Sequence, residues 1–423
     1  MVDTVAKSIA ALVGPEHVRP ATEVDAIDGV KSQLVVEPAT SSEVAGVLAI
    51  ASRAGQHVIP RGGGTKLSWG SSPATAEVVL STCRLNRLLE HADGDMTATV
   101  EAGCTIDELQ RRLAGRGQRL ALDPLWPQQA TVGGVFATGD SGSLRNSFGP
   151  ARDLILGVTV ALADGTLARS GGKVVKNVAG YDLPKLMTGS YGTLGVITQV
   201  TVRLHPLPAV VRNMQFQLSE QNQVEPFVTA MRECSLLTTA VQFEAGTDLP
   251  TVAQIRVEGA SQVIDAKCQR IARGTADAGI DSPTEIAMED WTARESLFVN
   301  QDSPALVCKV SLLPARLPAW LELLRRTGTA QDVRWRFLGQ LAGVGLLRLE
   351  SPQSSNLLHT VETLRTELAE QAGSLVILSC PAGLKSQADI WGDASDSQPL
   401  RQQVKMQFDE TNTLNPGRYV GGI

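Results

Sequence analysis

The hydrophobic pattern of the first 60 residues switches between two periods. Residues 1–30 read as a short helix and a loop. Gln33 to Glu37 is a strand-like run that Pro38 ends, because proline removes a ladder donor. Thr40-Ser41-Ser42-Glu43 has capping-box spacing and leads into the apolar run Val44 to Ala51, which predicts a helix stopped by Gly55. His57 to Pro60 then returns as a second strand. The unit is βαβ-like. Pro60-Arg61-Gly62-Gly63-Gly64-Thr65-Lys66-Leu67 leaves its second strand at the carboxyl end, where ligands gather in parallel sheets.

Further strands are expected at Val78 to Leu80 and Thr97 to Glu101. A second capping box, Thr105-Ile106-Asp107-Glu108, opens a helix to Ala114, with Gly115 and Gly117 as its stop. From Leu122 to Pro208 glycines recur between the strand-like runs Leu154 to Leu162 and Val196 to Leu204. Asp164-Gly165 predicts a tight hairpin between Leu162 and Leu167. The two prolines of His205-Pro206-Leu207-Pro208 mark a domain boundary. Beyond them, helices are expected at Val224 to Met231, Val263 to Arg273 (stopped by Gly274) and Leu317 to Arg326. Strands are expected at Val241 to Glu244, Leu306 to Leu312, Gly345 to Glu350 and Ser374 to Leu378. This mixture predicts an α+β domain with an antiparallel sheet over 209–380. A tail over 381–423 carries a helix at Leu400 to Phe408 and then Leu414-Asn415-Pro416-Gly417-Arg418-Tyr419.

Composition narrows the function. The chain has 423 residues, 43% of them hydrophobic, and a net charge of −6. That length supports two or three domains with real cores, and the charge argues against a broad nucleic-acid surface. The longest nearly apolar run, Leu154 to Ala163, is about half of the roughly 20 residues a membrane helix needs. The N-terminus lacks the basic segment and apolar core of a signal peptide. A cytoplasmic protein is expected, peripheral to a membrane only through partners. The six cysteines (Cys83, Cys104, Cys234, Cys268, Cys308 and Cys380) form no C-x-x-C pair, which argues against a structural zinc or an iron–sulfur cluster. They read as reduced thiols.

The chemistry centres on the loop after His57 to Pro60. Three consecutive glycines allow close approach of backbone to ligand, and successive N–H groups can cradle an anion, with Arg61 and Lys66 adding positive charge. A phosphate or pyrophosphate is the expected guest. Leu67 stands where a dinucleotide fingerprint needs a third glycine, and Gly64-Thr65-Lys66 does not complete a P-loop. A second glycine group, Thr131-Val132-Gly133-Gly134-Val135-Phe136-Ala137-Thr138-Gly139-Asp140-Ser141-Gly142, follows about 70 residues later. The two together suit a long diphosphate-bearing cofactor held in extended form; the second alone could be a packed turn.

These two groups precede Lys176-Asn177-Val178-Ala179-Gly180-Tyr181-Asp182-Leu183 and Gly189-Ser190-Tyr191-Gly192-Thr193-Leu194-Gly195-Val196-Ile197. In that order they resemble the FAD-binding domain of the vanillyl-alcohol oxidase / p-cresol methylhydroxylase (PCMH) flavoproteins. Lys405-Met406-Gln407-Phe408-Asp409 and Leu414-Asn415-Pro416-Gly417-Arg418 resemble the end of that family's 2-hydroxy-acid branch. Within it the chain is similar to the FAD-binding E subunits of glycolate oxidases, which work beside a catalytic flavoprotein subunit and an iron–sulfur subunit.

The resemblance implies an α+β fold: a two-subdomain FAD-binding domain over 1–208, a cap domain with an antiparallel sheet over 209–380, and a tail over 381–423 returning to the FAD domain. It implies that Arg61, Gly62, Gly63, Gly64, Thr65, Lys66 and Leu67 wrap the pyrophosphate. Thr131, Val132, Gly133 and Gly134, with Thr138, Gly139, Ser141 and Gly142, would run along the other side of the diphosphate and flavin. Gly195, Val196 and Ile197 would offer backbone groups to the adenine or flavin end. Tyr181 and Asp182 would brace the site or serve as packing.

Two departures matter. Relatives with covalent FAD often use a histidine in the first loop; Thr65 and Lys66 occupy that stretch and His57 precedes it, so noncovalent FAD is expected. Catalytic relatives also carry a histidine-rich metal site after the FAD domain. Here only His359 follows residue 208, so no paired-histidine set exists and no metal is expected.

The expected function is an FAD-binding subunit of a glycolate oxidase complex, with electrons leaving to an iron–sulfur partner. The alternatives are a self-sufficient FAD oxidoreductase acting on a lactate-like acid or alcohol, and a non-catalytic flavoprotein-like scaffold. In the self-sufficient case Arg418 is the candidate catalytic residue, clamping a carboxylate; otherwise it docks the tail through a salt bridge.

Overall fold

The computed structural model describes residues 2–173, 180–218, 221–299, 303–393 and 396–423. Residues 176–179 of the Lys176 to Leu183 motif lie outside the described residues. The fold is mixed α+β, and the chain forms two compact units. The first holds 1–141, 149–207 and 393–423; the second holds 142–148 and 208–392.

The first unit contains two main sheets. Its four-stranded sheet runs Val18–Pro20, Leu34–Val36, Val78–Ser81, Val58–Arg61. The first pair is antiparallel, whereas Val78–Ser81 lies parallel to both of its neighbours. The helix Ser41–Arg53 begins where the capping box predicts: Thr40 Oγ1 accepts from Glu43 N at 3.1 Å. The Glu43 carboxylate reaches back to Ala39 N at 2.7 Å. Val44, Val47 and Leu48 from this helix, Ile9 from the helix Val2–Val13, and Val58, Val78 and Leu80 from the strands are buried in one core. Leu414 of the tail belongs to that core too.

The second sheet of this unit is antiparallel, in the order Leu88–Ala92, Thr97–Glu101, Val196–Arg203, Ile155–Ala161, Leu167–Gly171. The Asp164-Gly165 hairpin forms as expected. Gly165 takes φ +92°, and Leu162 N donates to Thr166 O at 2.9 Å.

The second unit is built on an eight-stranded sheet ordered Thr284–Ile286, Val210–Leu218, Leu249–Gly259, Ala240–Gly246, Arg334–Gln340, Val344–Glu350, Ala305–Ser311, Ser374–Ser379. Every pairing is antiparallel. Helices Val224–Glu233, Ser261–Asp277, Leu317–Gln331 and Ser354–Ala369 contribute to its apolar core, where Phe216, Phe227, Phe243, Trp320 and Phe337 meet. The sheet's other residues form a polar layer: Gln242 Nε2 donates to Gln254 Oε1, and Gln254 Nε2 to Gln215 Oε1.

The helix expected to stop at Gly274 continues to Asp277. A Cβ at Gly274 would lie 3.4 Å from Cys234 Sγ, so this glycine is a packing position, and the chain turns only at Gly279, with φ +75°. The strands Val210–Leu218, Leu249–Gly259 and Arg334–Gln340 and the helix Ser354–Ala369 have no counterpart among the predicted elements.

Candidate functional site

A cleft opens in the first unit. One wall is the loop after the strand Val58–Arg61: Pro60, Arg61, Gly63, Gly64, Thr65, Lys66 and Leu67 line it, with Thr82 beside them. A second wall is Thr131, Gly133, Gly134, Ala137 and Thr138. A third is Tyr191, Gly192, Gly195, Val196 and Ile197, and Asn415 and Arg418 of the tail complete it. Two glycine groups and the tail, far apart in sequence, therefore share one cavity.

The three consecutive glycines serve different purposes. A Cβ at Gly62 would sit 2.0 Å from Thr131 Oγ1, and one at Gly63 would sit 1.8 Å from Gln129 O. These two residues let the loop lie directly on segment 129–131. Gly64 instead takes φ +76°, with no atom within 3.8 Å of its missing Cβ. Gly63 and Gly64 are exposed, and their N–H groups donate to no other described residue. They are donors open to an anion.

The two cations of the loop are already engaged. Arg61 Nη1 donates to Asp25 Oδ1 at 2.8 Å, and Asp25 also receives a two-pronged bond from Arg19 at 2.7 and 2.9 Å. The Lys66 ammonium is buried, 3.4 Å from Asp140 Oδ2 and 3.3 Å from Leu125 O, and lies over the rings of Trp69 and Trp126. The expectation that Lys66 offers free positive charge to the ligand is therefore corrected: burial requires a counter-charge, and Asp140 supplies it. What the loop offers an anion is chiefly its backbone dipoles.

The Arg19 fork, with Arg61 and Thr22 also donating, holds the Asp25 carboxyl far below the usual carboxylate range. Asp25 is 3% exposed. Because its folded pKa is depressed, its contribution to stability is complete above an unfolded pKa of about 3.9 and is lost as the pH falls below it. In melting scans from pH 7 to pH 2, Asp25→Asn is expected to lower Tm at neutral pH and to flatten the acid limb. An acid limb unchanged from wild type would count against this.

The second glycine group is not an extended loop. Thr131 caps the helix Val132–Thr138, its side chain accepting from Gly134 N at 3.4 Å. Val132 N and Gly133 N already donate to Cys104 O and Ala102 O at 2.8 and 2.7 Å, so their amides are not available to a diphosphate. Gly133 is small because a Cβ there would meet Ala102 Cβ at 2.6 Å.

Five expected site residues do not line the cleft: Gly62, Val132, Gly139, Ser141 and Gly142. Val132 is fully buried, Gly139 closes the helix at φ +63°, and Ser141 Oγ accepts from Ala151 N at 3.1 Å. Gly142 belongs to the second unit. Tyr181 is 90% exposed, and Asp182 caps the helix Leu183–Met187. Arg418 is buried, and its Nη2 donates to Leu67 O and Trp69 O, both at 2.6 Å, which ties the tail to the first wall.

The residues not foreseen are Pro60, Thr82, Ala137, Tyr191, Gly192 and Asn415. Tyr191 and Gly192 sit inside the Gly189 to Gly195 motif, which was a usable signal; Thr82 had none. Burial pushes the Tyr191 phenol above its usual range.

Lys405 and Asp409 brace the site without lining it. Lys405 Nζ donates to Asp409 Oδ2 at 2.6 Å, to Thr193 O at 2.8 Å and to Leu414 O at 2.9 Å. Asp409 accepts from Thr413 N and Leu414 N. The pair joins the loop carrying Gly192 to the segment carrying Asn415. Among the described residues, no three His, Cys, Asp or Glu side chains converge to hold a metal ion.

The donor set fits FAD. Exposed glycine amides suit a diphosphate, hydroxyls of Thr82, Thr131 and Thr138 suit polar linkers, and Leu67, Ala137, Val196 and Ile197 give apolar surface for a ring.

Residues 32–171 match an FAD binding domain family. The chain is 32% identical over 222 residues to glycolate oxidase subunit GlcD of Bacillus subtilis, across 52% of this chain and 46% of that one. It thus spans less than half the length of that relative. It is 26% identical over 351 residues to glycolate oxidase subunit GlcE of Escherichia coli, across 82% of this chain and 88% of that one. In fold it is similar to p-cresol methylhydroxylase, with a TM-score of 0.73 at 14% identity, covering 98% of this chain and 96% of that one. The chain therefore carries an FAD binding domain over residues 32–171, in a fold similar to that of p-cresol methylhydroxylase.

Proposed function

We propose that this chain is an FAD-dependent oxidoreductase acting in 2-hydroxy acid oxidation, as the FAD-binding subunit of a glycolate oxidase-type complex. The observation that carries this reading is the three-walled cleft, whose unused donors include the Gly63 and Gly64 amides and which the tail completes. The near end-to-end likeness to GlcE supports the subunit role. The partners are a catalytic flavoprotein subunit and an iron–sulfur subunit.

The described residues lining the cleft include no histidine or cysteine, and we propose that FAD is held noncovalently. His57 is engaged elsewhere, its Nδ1 within 2.9 Å of Glu77 Oε2. When bound, the flavin supplies the hydride-accepting chemistry. The chain's part is to hold the diphosphate on the Gly63 and Gly64 amides. Arg418 is a positioning residue in this reading, because its guanidinium holds the carbonyls of Leu67 and Trp69.

The test is a flavin spectrum of the purified chain, followed by acid precipitation. Absorbance in the flavin bands, released to the supernatant, is the expected result; a colourless protein that takes up no added FAD overturns the reading. Glycolate-dependent dye reduction is expected only when the partner subunits are present. Robust turnover by the isolated chain would replace the subunit role with a self-sufficient enzyme.

A further inference from the structure

Asn415 stands where the tail meets the cleft. Val58 N donates to Thr413 O at 2.8 Å and Asn415 N donates to Val58 O at 3.1 Å, so the tail runs beside the strand that leads into the glycine loop. The Asn415 backbone is left-handed, with φ +48°, a conformation asparagine tolerates better than most residues. Its side-chain Nδ2 donates to Tyr191 O at 2.5 Å. Only the amide nitrogen can donate to a carbonyl, so the assignment of the two arms follows from this bond. The other arm, Oδ1, is buried and accepts no hydrogen bond from the described residues. Buried acceptors are nearly always paired, and Asn415 is 5% exposed in the wall of the cleft, beside Pro60, Tyr191 and Gly192.

We propose that Asn415 is a cofactor-recognition residue whose Oδ1 accepts a hydrogen bond from an N–H or O–H of the dinucleotide. The inference rests on the FAD reading above. An ionised diphosphate has no donor to offer, so the partner belongs to a flanking part: the flavin imide, a sugar or ribityl hydroxyl, or the adenine amine. Asn415 would then read the moiety next to the diphosphate, while the Gly63 and Gly64 amides hold the diphosphate itself.

The experiment measures binding of FAD, FMN and ADP to wild type, Asn415→Leu and Asn415→Gly, alongside the melting temperature of each without ligand. Glycine adopts the left-handed backbone freely, so the second variant keeps the tail's path if leucine disrupts it. Loss of one hydrogen bond is expected to weaken FAD about 10- to 30-fold. The loss should follow either FMN or ADP, whichever carries the donor; both variants also lose the Nδ2 bond to Tyr191 O, so a modestly lowered melting temperature is expected in each. FAD affinity within about twofold of wild type in both variants overturns the proposal and leaves the FAD reading standing. An equal loss for FMN and ADP with a lowered melting temperature also overturns it, because that pattern is tail unfolding. Failure of the wild-type chain to bind FAD overturns both.

Discussion

Replacing Gly63 with valine should yield a folded protein that retains no flavin. A Cβ at this position lies 1.8 Å from Gln129 O and 2.8 Å from the Gln129 carbonyl carbon. That carbonyl has little freedom to yield. Gln129 N and Ala130 N both donate to Trp126 O, at 2.9 and 2.7 Å, and Ala130 O accepts from Ile106 N at 2.9 Å. The glycine loop is the softer partner, since Gly63 and Gly64 are exposed, so it lifts away from segment 129–131. Sites of this kind tolerate displacements of only about 0.5 Å, and the lift moves the amides of the first wall out of reach. FAD affinity is expected to fall more than about 100-fold, while the overpacking costs about 1–3 kcal/mol of stability. Gly64→Ala is the contrast. Nothing crowds its Cβ, and only the left-handed backbone opposes it, at about 1–2 kcal/mol. Flavin fluorescence titration and thermal melts separate the two effects. A Gly63→Val protein that purifies with full flavin content would remove the loop from the cofactor site.

Lys405→Met is expected to be the most destabilising single change in the tail. The Asp409 side chain is fully buried and that of Lys405 is 7% exposed. Removing the ammonium leaves a carboxylate without its counter-ion and strips two carbonyls, Thr193 O and Leu414 O, of a donor. Breaking a buried pair on one side costs about 3–5 kcal/mol. If the first unit, of about 230 residues, melts by itself, that corresponds to a Tm lower by roughly 6–10 °C. Flavin retention should fall with it, because Leu414 leads directly into Asn415. Adding Asp409→Asn should recover part of the loss by removing the stranded charge. Thermal melts of the single and double variants check this; a Lys405→Met protein with wild-type Tm and flavin content contradicts it.

What was legible in the sequence was the chemistry that acts over a few residues. Thr40 and Thr105 announce their helices because a hydroxyl three positions before an amide is a local geometry. Asp164-Gly165 announces its hairpin for the same reason. The clustering of glycines marked segments that line one cleft and, with the motif order, the family of fold. The period of the apolar runs placed most strands and helices. It failed at Gly274, where a glycine that reads as a stop is a packing position in a continuous helix.

The role of each site residue depended on partners that no local pattern reveals. Gly62 and Gly63 are small because Thr131 and Gln129 lie against them, not to admit the ligand directly. Arg61 and Lys66 look like anion-binding cations, yet folding brings Asp25 and Asp140 to them and leaves the loop only its backbone to offer. The Val132 and Gly133 amides look available, yet carbonyls of 102–104 take them. Asn415 joins the cleft because Lys405 reaches a carbonyl 212 positions away. Burial forces each of these outcomes: a charge or polar group removed from water needs a partner, and the partner comes from wherever the chain packs. Backbone propensity and turn chemistry are written residue by residue, whereas the pairing of buried groups exists only once the whole unit has closed.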